Sequence, residues 1–357
     1  MAEIDQLLRY VKDHDGSDLH LATGLEPRIR RHGSLEPIEG WPVLDAEAVL
    51  KLLSGIATKR QWREYETTRD LDFSYGLSGV GRFRVNYLCQ ENGPGAVVRL
   101  IPERIVPLED LKLPAAVEKL AHMQQGLVLV TGPTGCGKST TLASIIDRIN
   151  STYARHIVTI EDPVEFMHQN KKSVVSHREV GAHTEGFSPA LRAAVRQDAD
   201  VILVGEMRDL ETISLAITAA EMGALVFATL HTNNAAKTID RIIDAFPGEQ
   251  QEQVRTTLSE SMGAILSQFL IPAANGGGRH AAIELLLRTQ GLPNVIREGN
   301  TPMIYSIIQA GRAAGMQTMD EALLALASEG KITPQDAHTR AADKAKFEPL
   351  LSLSKAA

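Results

Sequence analysis

The segment from Gly126 to Asn150, GLVLVTGPTGCGKSTTLASIIDRIN, leaves this chain little choice of architecture. Leu127, Val128, Leu129 and Val130 form a short apolar run of the kind a buried strand requires, and apolar residues then recur at helical spacing through Leu142, Ile145, Ile146 and Ile149. Between strand and helix, Gly132, Gly137, Lys138 and Ser139 stand at the spacing G-x-x-x-x-G-K-[ST], a phosphate-binding loop in the context that gives the pattern its meaning. Backbone N–H groups can turn inward around phosphate oxygens only where glycine's freedom and a helix N-terminus are both at hand. Thr134, Gly135, Cys136, Gly137, Lys138, Ser139 and Thr140 are the expected nucleotide-binding residues. Lys138 would reach the β- and γ-phosphates, and the Ser139 hydroxyl would hold Mg²⁺. A glycine-rich turn with an incidental lysine would not need the flanking strand and helix, so ATP with Mg²⁺ is the expected cofactor pair.

At 357 residues the chain exceeds one average domain and suits two, each able to bury its own core. The formal net charge is −7, so no overall positive field points to a nucleic-acid partner. Two cysteines, Cys89 and Cys136, build neither a disulfide framework nor a four-cysteine zinc site, which fits a reducing cytosol. No basic start precedes an apolar run, and no apolar stretch nears the ~20 residues of a membrane-spanning helix. A cytoplasmic protein is expected, with membrane association only through a partner.

Taken in order, the first hundred residues read as a small α/β domain, 1–103. An amphipathic helix (Ile4, Leu7, Leu8, Val11) opens it; short strands follow over Asp18 to Leu21 and Arg28 to Ile38, with one or two helices between Asp45 and Glu66. Leu71 to Tyr75 is another strand. Arg82 to Gln90 and Ala96 to Leu100 read as the arms of a hairpin whose turn lies within Glu91 to Gly95. Prolines between Ile101 and Pro114 argue against helix or central strand, which places a linker at 104–114. Beyond it, in 115–357, apolar runs alternate with helical patterns, the signature of a mostly parallel sheet covered by helices. His156 to Ile160, Val201 to Val204 and Val226 to Leu230 are its further strands. Ser188 and Pro189 read as N-cap and first residue of a helix. Past Phe246 the chain is expected to be mainly helical, apart from a hairpin across Asn275 to Gly278.

Nucleotide-hydrolysing sites on such sheets draw their residues from the carboxyl ends of neighbouring strands. Val201 to Val204 runs into Gly205 and Glu206, which makes Glu206 the candidate to polarise the attacking water. Glu161, Asp162 and Glu165 gather three acids after another strand; a solvated acidic turn is the plainer reading, but the position favours Glu165 or Glu161 in placing water or metal. Glu165 is taken as catalytic and Glu161 as a magnesium ligand beside Ser139. His231, at the end of Val226 to Leu230, is a candidate donor to the γ-phosphate, since imidazole can change its hydrogen-bonding state as that group leaves.

Together these blocks resemble the secretion-type ATPases, and among them the type IV pilus retraction ATPase family, PilT-like in pattern. GPTGCGKSTT, TIEDPVE (Thr159 to Glu165), RQDADVILVGEMRD (Arg196 to Asp209) and ATLHTN (Ala228 to Asn233) stand in the family's order. The likeness extends to GSDLHL (Gly16 to Leu21), GRFRVN (Gly81 to Asn86), VIREG (Val295 to Gly299) and GMQTMDEAL (Gly315 to Leu323). It implies a PAS-like N-terminal domain joined to a RecA-like P-loop ATPase domain with a helical C-terminal region. It further implies a homohexameric ring in the cytoplasm, docked on the inner-membrane pilus platform protein, with other pilus motor ATPases as further partners. ATP-driven pilin removal, the basis of twitching motility, is the implied work. Arg297 and Glu298 fall in the stretch that the family links to retraction rather than hydrolysis. Cys136 stands where serine is usual, at a position that contributes backbone; Ala199 replaces a frequent proline, and an AIRN-like signature reads LPNVIRE, with Pro293 in the first helical turn, a departure that leaves an accessory retraction paralogue as the alternative.

Pilus-extension and type II secretion ATPases share the four central boxes, but typically carry a longer N-terminal region and two CxxC pairs. The latter are impossible with two cysteines. A RecA-like DNA motor would want a basic, aromatic-supplied channel, against an acidic balance and 4% aromatic residues here. Arg82 and Arg84, two apart on one strand, share a face, and an even-membered hairpin loop would bring Arg99 to the same face. Three guanidinium groups together call for an anion, and the family's use of N-terminal-domain arginines suggests a neighbouring subunit's triphosphate. Salt bridges with Asp70 and Asp72 are the alternative.

Overall fold

The computed structural model describes residues 2–101 and 104–356, and the chain divides into two compact units: Met1–Arg104 with Pro163–Met167, and Ile105–Asp162 with His168–Ala357. The first unit runs α1 (Ile4–Asp13), β1 (Asp18–Ala22), β2 (Arg28–Arg31), β3 (Ser34–Pro37), α2 (Ala46–Ser54), α3 (Lys59–Thr68), β4 (Asp70–Leu77), β5 (Gly81–Gln90) and β6 (Gly93–Ile101). Local chemistry starts its helices: the Asp45 carboxylate accepts the Ala48 N–H at the head of α2, and Thr58 with Gln61 closes a capping box on α3. The strands form one antiparallel sheet in the order β3-β2-β1-β6-β5-β4. Leu19, Phe83, Val85, Tyr87 and Val98 fill one face and pack with Leu7, Leu8, Val49, Leu53 and Tyr65 of the helices.

The second unit holds α4 (Glu118–Ala121), β7 (Gly126–Thr131), α5 (Lys138–Thr152), β8 (His156–Glu161), β9 (Val174–Glu179), α6 (Phe187–Ala194), β10 (Val201–Val204), α7 (Leu210–Glu221), β11 (Leu225–Leu230), α8 (Ala235–Asp244) and α9 (Gly248–Ser261). Then come β12 (Met262–Pro272), β13 (Arg279–Leu287), α10 (Leu292–Arg297), α11 (Met303–Ala310), α12 (Met319–Ser328), α13 (Pro334–Arg340) and α14 (Glu348–Ala356). Its sheet has the order β13-β12-β7-β11-β10-β8-β9, parallel except for the β12/β13 pair. Every residue of β7, β10 and β11 is buried, because side chains alternate into two separate cores. Leu127, Leu129, Ile202, Val204 and Val226 face one, with α6 to α11; Val128, Val130, Val201, Leu203 and Phe227 face the other, with α5. The fold is thus α/β in both units, an antiparallel sheet with helices on one side and a RecA-like layered sheet with a helical C-terminal region.

Three elements differ from the sequence expectation. Gly186, not Ser188, occupies the N-cap of α6, and the Ser188 hydroxyl instead bonds the Thr212 hydroxyl at 3.1 Å across to α7. β9 emerges from a stretch too polar to read as a strand, since it pairs only with β8 at the sheet edge. The hairpin turn near Asn275 is present, but its arms are 11 and 9 residues long, and β12 enters the main sheet beside β7. That insertion sets the phosphate loop between β12 and β11.

Candidate active site

At the carboxyl end of β7 the chain turns through Gly132 to Gly137 and enters α5 at Lys138. Gly135 (φ +77°) and Gly137 (φ +90°) both lie in the left-handed region, and a Cβ added at Gly135 would meet nothing within 4 Å. Gly137, at the N-cap of α5, has no side chain with which to cap the helix, and a helix N-terminus of this kind favours an anion. The Lys138 ammonium donates to the Gly132 and Pro133 carbonyls at 2.8 and 3.1 Å, which bends it back over the loop. These features fit a phosphate chain. Cys136 is buried, burial pushes its thiol above the ordinary value, and its carbonyl accepts from Gln268 Nε2 at 2.6 Å.

Three neighbouring parallel strands bring the other candidates to the same edge. β11, next to β7, ends before His231; β10, next to β11, ends before Glu206; β8, next to β10, ends in Glu161. Ties beyond the strand ends keep them together: Gly205 N–H donates to Ile160 O at 2.8 Å, Met207 N–H to Thr229 O at 3.1 Å, and the Thr229 hydroxyl to Gly205 O. Glu206 is gripped from two sides, by Arg208 Nη2 at 2.8 Å and His231 Nε2 at 3.0 Å. Partial burial alone would push its carboxyl up, but Arg208 and then His231 outweigh that and hold it below the usual carboxylate range. Glu206 is therefore ionised at neutral pH. Glu161 is buried, with its backbone against Gly205. Glu165 falls in the segment Pro163–Met167 that groups with the first unit.

In the first unit the β5–β6 loop has two residues, Gln90 pairing with Gly93, and Arg84 stands directly opposite Arg99. Arg82, Arg84 and Arg99 thus do share a face. They are also engaged on it: Arg84 pairs with Asp72, Arg99 Nε donates to Asp18 Oδ1 at 2.7 Å, and Arg82 donates to the Ser74 hydroxyl. In the C-terminal region Pro293 lies in the first turn of α10, Leu292 and Ile296 are buried, and exposed Arg297 donates to Asn294 Oδ1, with Glu298 as C-cap.

Sequence reasoning missed Gln268 and Ser267 of β12. Ser267 bonds the Thr131 hydroxyl at 2.8 Å, and Gln268 Oε1 accepts from Thr141 Oγ1 at 2.8 Å while its amide group reaches Cys136. The one available signal was a pair of polar residues inside the apolar run Met262 to Pro272.

A phosphate loop after the first strand of a parallel sheet, with an acid and a histidine at the ends of adjacent strands, defines a P-loop nucleoside triphosphatase of the RecA-like layout. The family described as type II/IV secretion system protein matches residues 3–339. The type IV pilus retraction ATPase PilT of Pseudomonas aeruginosa is 48% identical over 339 residues, 95% of this chain and 98% of the relative. A twitching motility protein of Neisseria gonorrhoeae is 50% identical over 315 residues, covering 88% of this chain and 84% of the relative. The crystal structure of the pilus retraction motor PilT with bound ADP superposes with a TM-score of 0.90 at 43% identity, over 98% of this chain and 99% of that one. The chain belongs to the type II/IV secretion system protein family, in its pilus retraction ATPase branch.

Proposed function

We propose that the chain is an ATP-hydrolysing motor that drives type IV pilus retraction, removing pilin and so powering twitching motility. It would work as a homohexameric ring, cytoplasmic and recruited to the inner membrane by the pilus platform protein, with other pilus motor ATPases as further partners. No helix among the described residues is long and apolar enough to cross a membrane, which is compatible with recruitment through a partner. The observation that carries the reading is the convergence of the phosphate loop, His231, Glu206 and Glu161 on one edge of one sheet.

Lys138 and the N–H groups from Gly135 to Thr140 bind the triphosphate oxygens, with Thr134 at the exposed loop tip. Ser139 and Glu161 would hold Mg²⁺, which supplies charge neutralisation when bound; a magnesium ion that keeps waters and phosphate oxygens needs few protein ligands. That accords with the lack, among the described residues, of any group of three His, Cys, Asp or Glu side chains fit for a metal. Glu206 orients the attacking water and takes its proton as the new P–O bond forms and ADP leaves. A carboxylate held this low is a weak base, so most of its contribution is positioning, as phosphoryl transfer favours. His231 is the donor proposed for the γ-phosphate, and its bond to Glu206 ties that donor to the base. Glu165 is proposed to help place the water, and Arg82, Arg84 and Arg99 to act on the ATP of a neighbouring subunit. Arg297 and Glu298 are assigned to coupling with the pilus.

Glu206→Gln tests the chemistry: it should keep nucleotide binding and lose turnover. Hydrolysis within about tenfold of wild type, a loss of only ~1.4 kcal/mol, would remove Glu206 as the base. Deleting the gene tests the work. Retraction predicts surface pili that accumulate while twitching stops; cells that lose their pili instead would assign extension.

A further inference from the structure

Gln268 lies in β12, far from the phosphate loop in sequence and nearly 97% removed from solvent, yet its side chain spans two points of that loop and its helix. Its Nε2 donates to the Cys136 carbonyl at 2.6 Å and its Oε1 accepts from Thr141 Oγ1 at 2.8 Å. The two bonds settle which way the amide faces, since the opposite orientation would set its oxygen against the Cys136 carbonyl oxygen. Contact continues beyond these bonds. A Cβ at Gly132 would lie 2.3 Å from the Gln268 carbonyl oxygen, and one at Gly137 would lie 2.8 Å from Nε2. Gly132 is thus required by the approach of the Gln268 backbone as well as by its positive φ angle, whereas a side chain at Gly137 would displace the Gln268 amide from its place.

In a trans peptide the C=O and the following N–H point in opposite directions. Holding the Cys136 carbonyl toward β12 therefore aims the Gly137 N–H away from β12. We propose that Gln268 is a positioning residue for nucleotide binding: by pinning the Cys136–Gly137 peptide it presents the Gly137 N–H to a phosphate oxygen of the bound nucleoside di- or triphosphate. Thr141 acts one step further back, by fixing the amide that does the pinning. This rests on the reading of Gly132 to Thr140 as a nucleotide site. It adds a residue from outside every phosphate-loop pattern, on a strand that enters the sheet only in the folded unit.

Gln268→Met keeps the side-chain length and removes both bonds. Titrating the full-length chain with a fluorescent ADP analogue and Mg²⁺ should show about tenfold weaker binding, or more. Steady-state kinetics should show the loss mainly in KM, with kcat changed less, because the Gly137 N–H is engaged in ground and transition state alike. Thr141→Val should cause a smaller loss in the same direction, and Gln268→Met with Thr141→Val should bind no worse than Gln268→Met alone. Binding by Gln268→Met within twofold of wild type, or two losses that simply multiply, would overturn the proposal. Should Gln268→Met fail to fold, Thr141→Val decides alone, and unchanged affinity there overturns it. Lys138→Ala is the control: if it too binds like wild type the nucleotide site itself is misread, whereas loss in Lys138→Ala with none in Gln268→Met rejects only the role of Gln268.

Discussion

In the antiparallel sheet of the first unit residues alternate between a core face of Phe83, Val85, Tyr87 and Val98 and a face bearing Arg82, Arg84, Arg99, Asp18 and Asp72. The parallel sheet of the second unit is buried along the whole of β7, β10 and β11, and none of these three strands holds an ionisable residue, so Lys138, Glu206 and His231 come only after the strands end. The difference follows from what covers each sheet. Helices on one side leave the other face to carry charge in two-residue steps. Helices on both sides push the charged groups that follow β10 and β11 to one edge, where loops from different strands converge. On the arginine face Arg84 and Arg99 are already matched by acids, so an anion brought to them must compete with Asp72 and Asp18.

The largest expected effect tests the face. Replacing Arg82, Arg84 and Arg99 together with alanine should cut ATP turnover about 10³-fold or more, as loss of an arginine finger does, without unfolding the chain. Mixing that triple variant with Glu206→Gln subunits, each inactive alone, should restore partial ATPase activity in mixed rings. No recovery in rings verified as mixed would confine the arginines to salt bridges within their own unit.

A second contrast concerns burial. Ile202→Ala, in a strand enclosed on both faces, should destabilise the second unit by about 2–5 kcal/mol in denaturant titration. Leu35→Ala, 40% exposed on β3, should stay within about 0.5 kcal/mol. Similar losses at the two positions would contradict the difference in cover.

Next in size is an acid sensitivity at the β8/β9 edge. His168 is buried, and burial first, then the stacked ring of His177, lowers its pKa to about 4. A histidine held neutral in the fold adds stability that is complete above its ordinary pKa of 6.5 and is lost as pH falls from there toward 4. The contribution is up to about 3 kcal/mol. The melting temperature of wild type should therefore fall more steeply between pH 7 and pH 4.5 than that of His168→Gln; parallel curves would assign the acid loss elsewhere.

Arg297→Ala is expected to do least to the chemistry. Its guanidinium bonds Asn294 within α10 and lies outside every strand-end loop, so ATPase activity should stay within about twofold while twitching falls. A variant as slow in hydrolysis as Lys138→Ala would dissolve that separation.

Local periodicity settled a good deal on its own. The strand, loop and helix around Lys138 were legible because each has its own repeat and the loop its own glycine spacing. Glu206 and His231 were legible as residues that follow buried runs, since a chain leaving such a strand must emerge at the sheet edge. The arginine face was legible up to one unknown, the parity of the β5–β6 loop, because a one-residue change would send Arg99 to the other face. Strand order was not legible. Apolar runs such as Val201 to Val204 and Met262 to Pro272 say only that a strand is buried, and backbone hydrogen bonds are alike in every sheet, so which runs become neighbours depends on packing between distant segments. Tertiary structure alone set His231 3.0 Å from Glu206 and carried Gln268 across 132 residues to the Cys136 carbonyl. A buried amide's partners are fixed by whichever strand lies alongside it, and nothing in its own neighbourhood of the sequence encodes that choice.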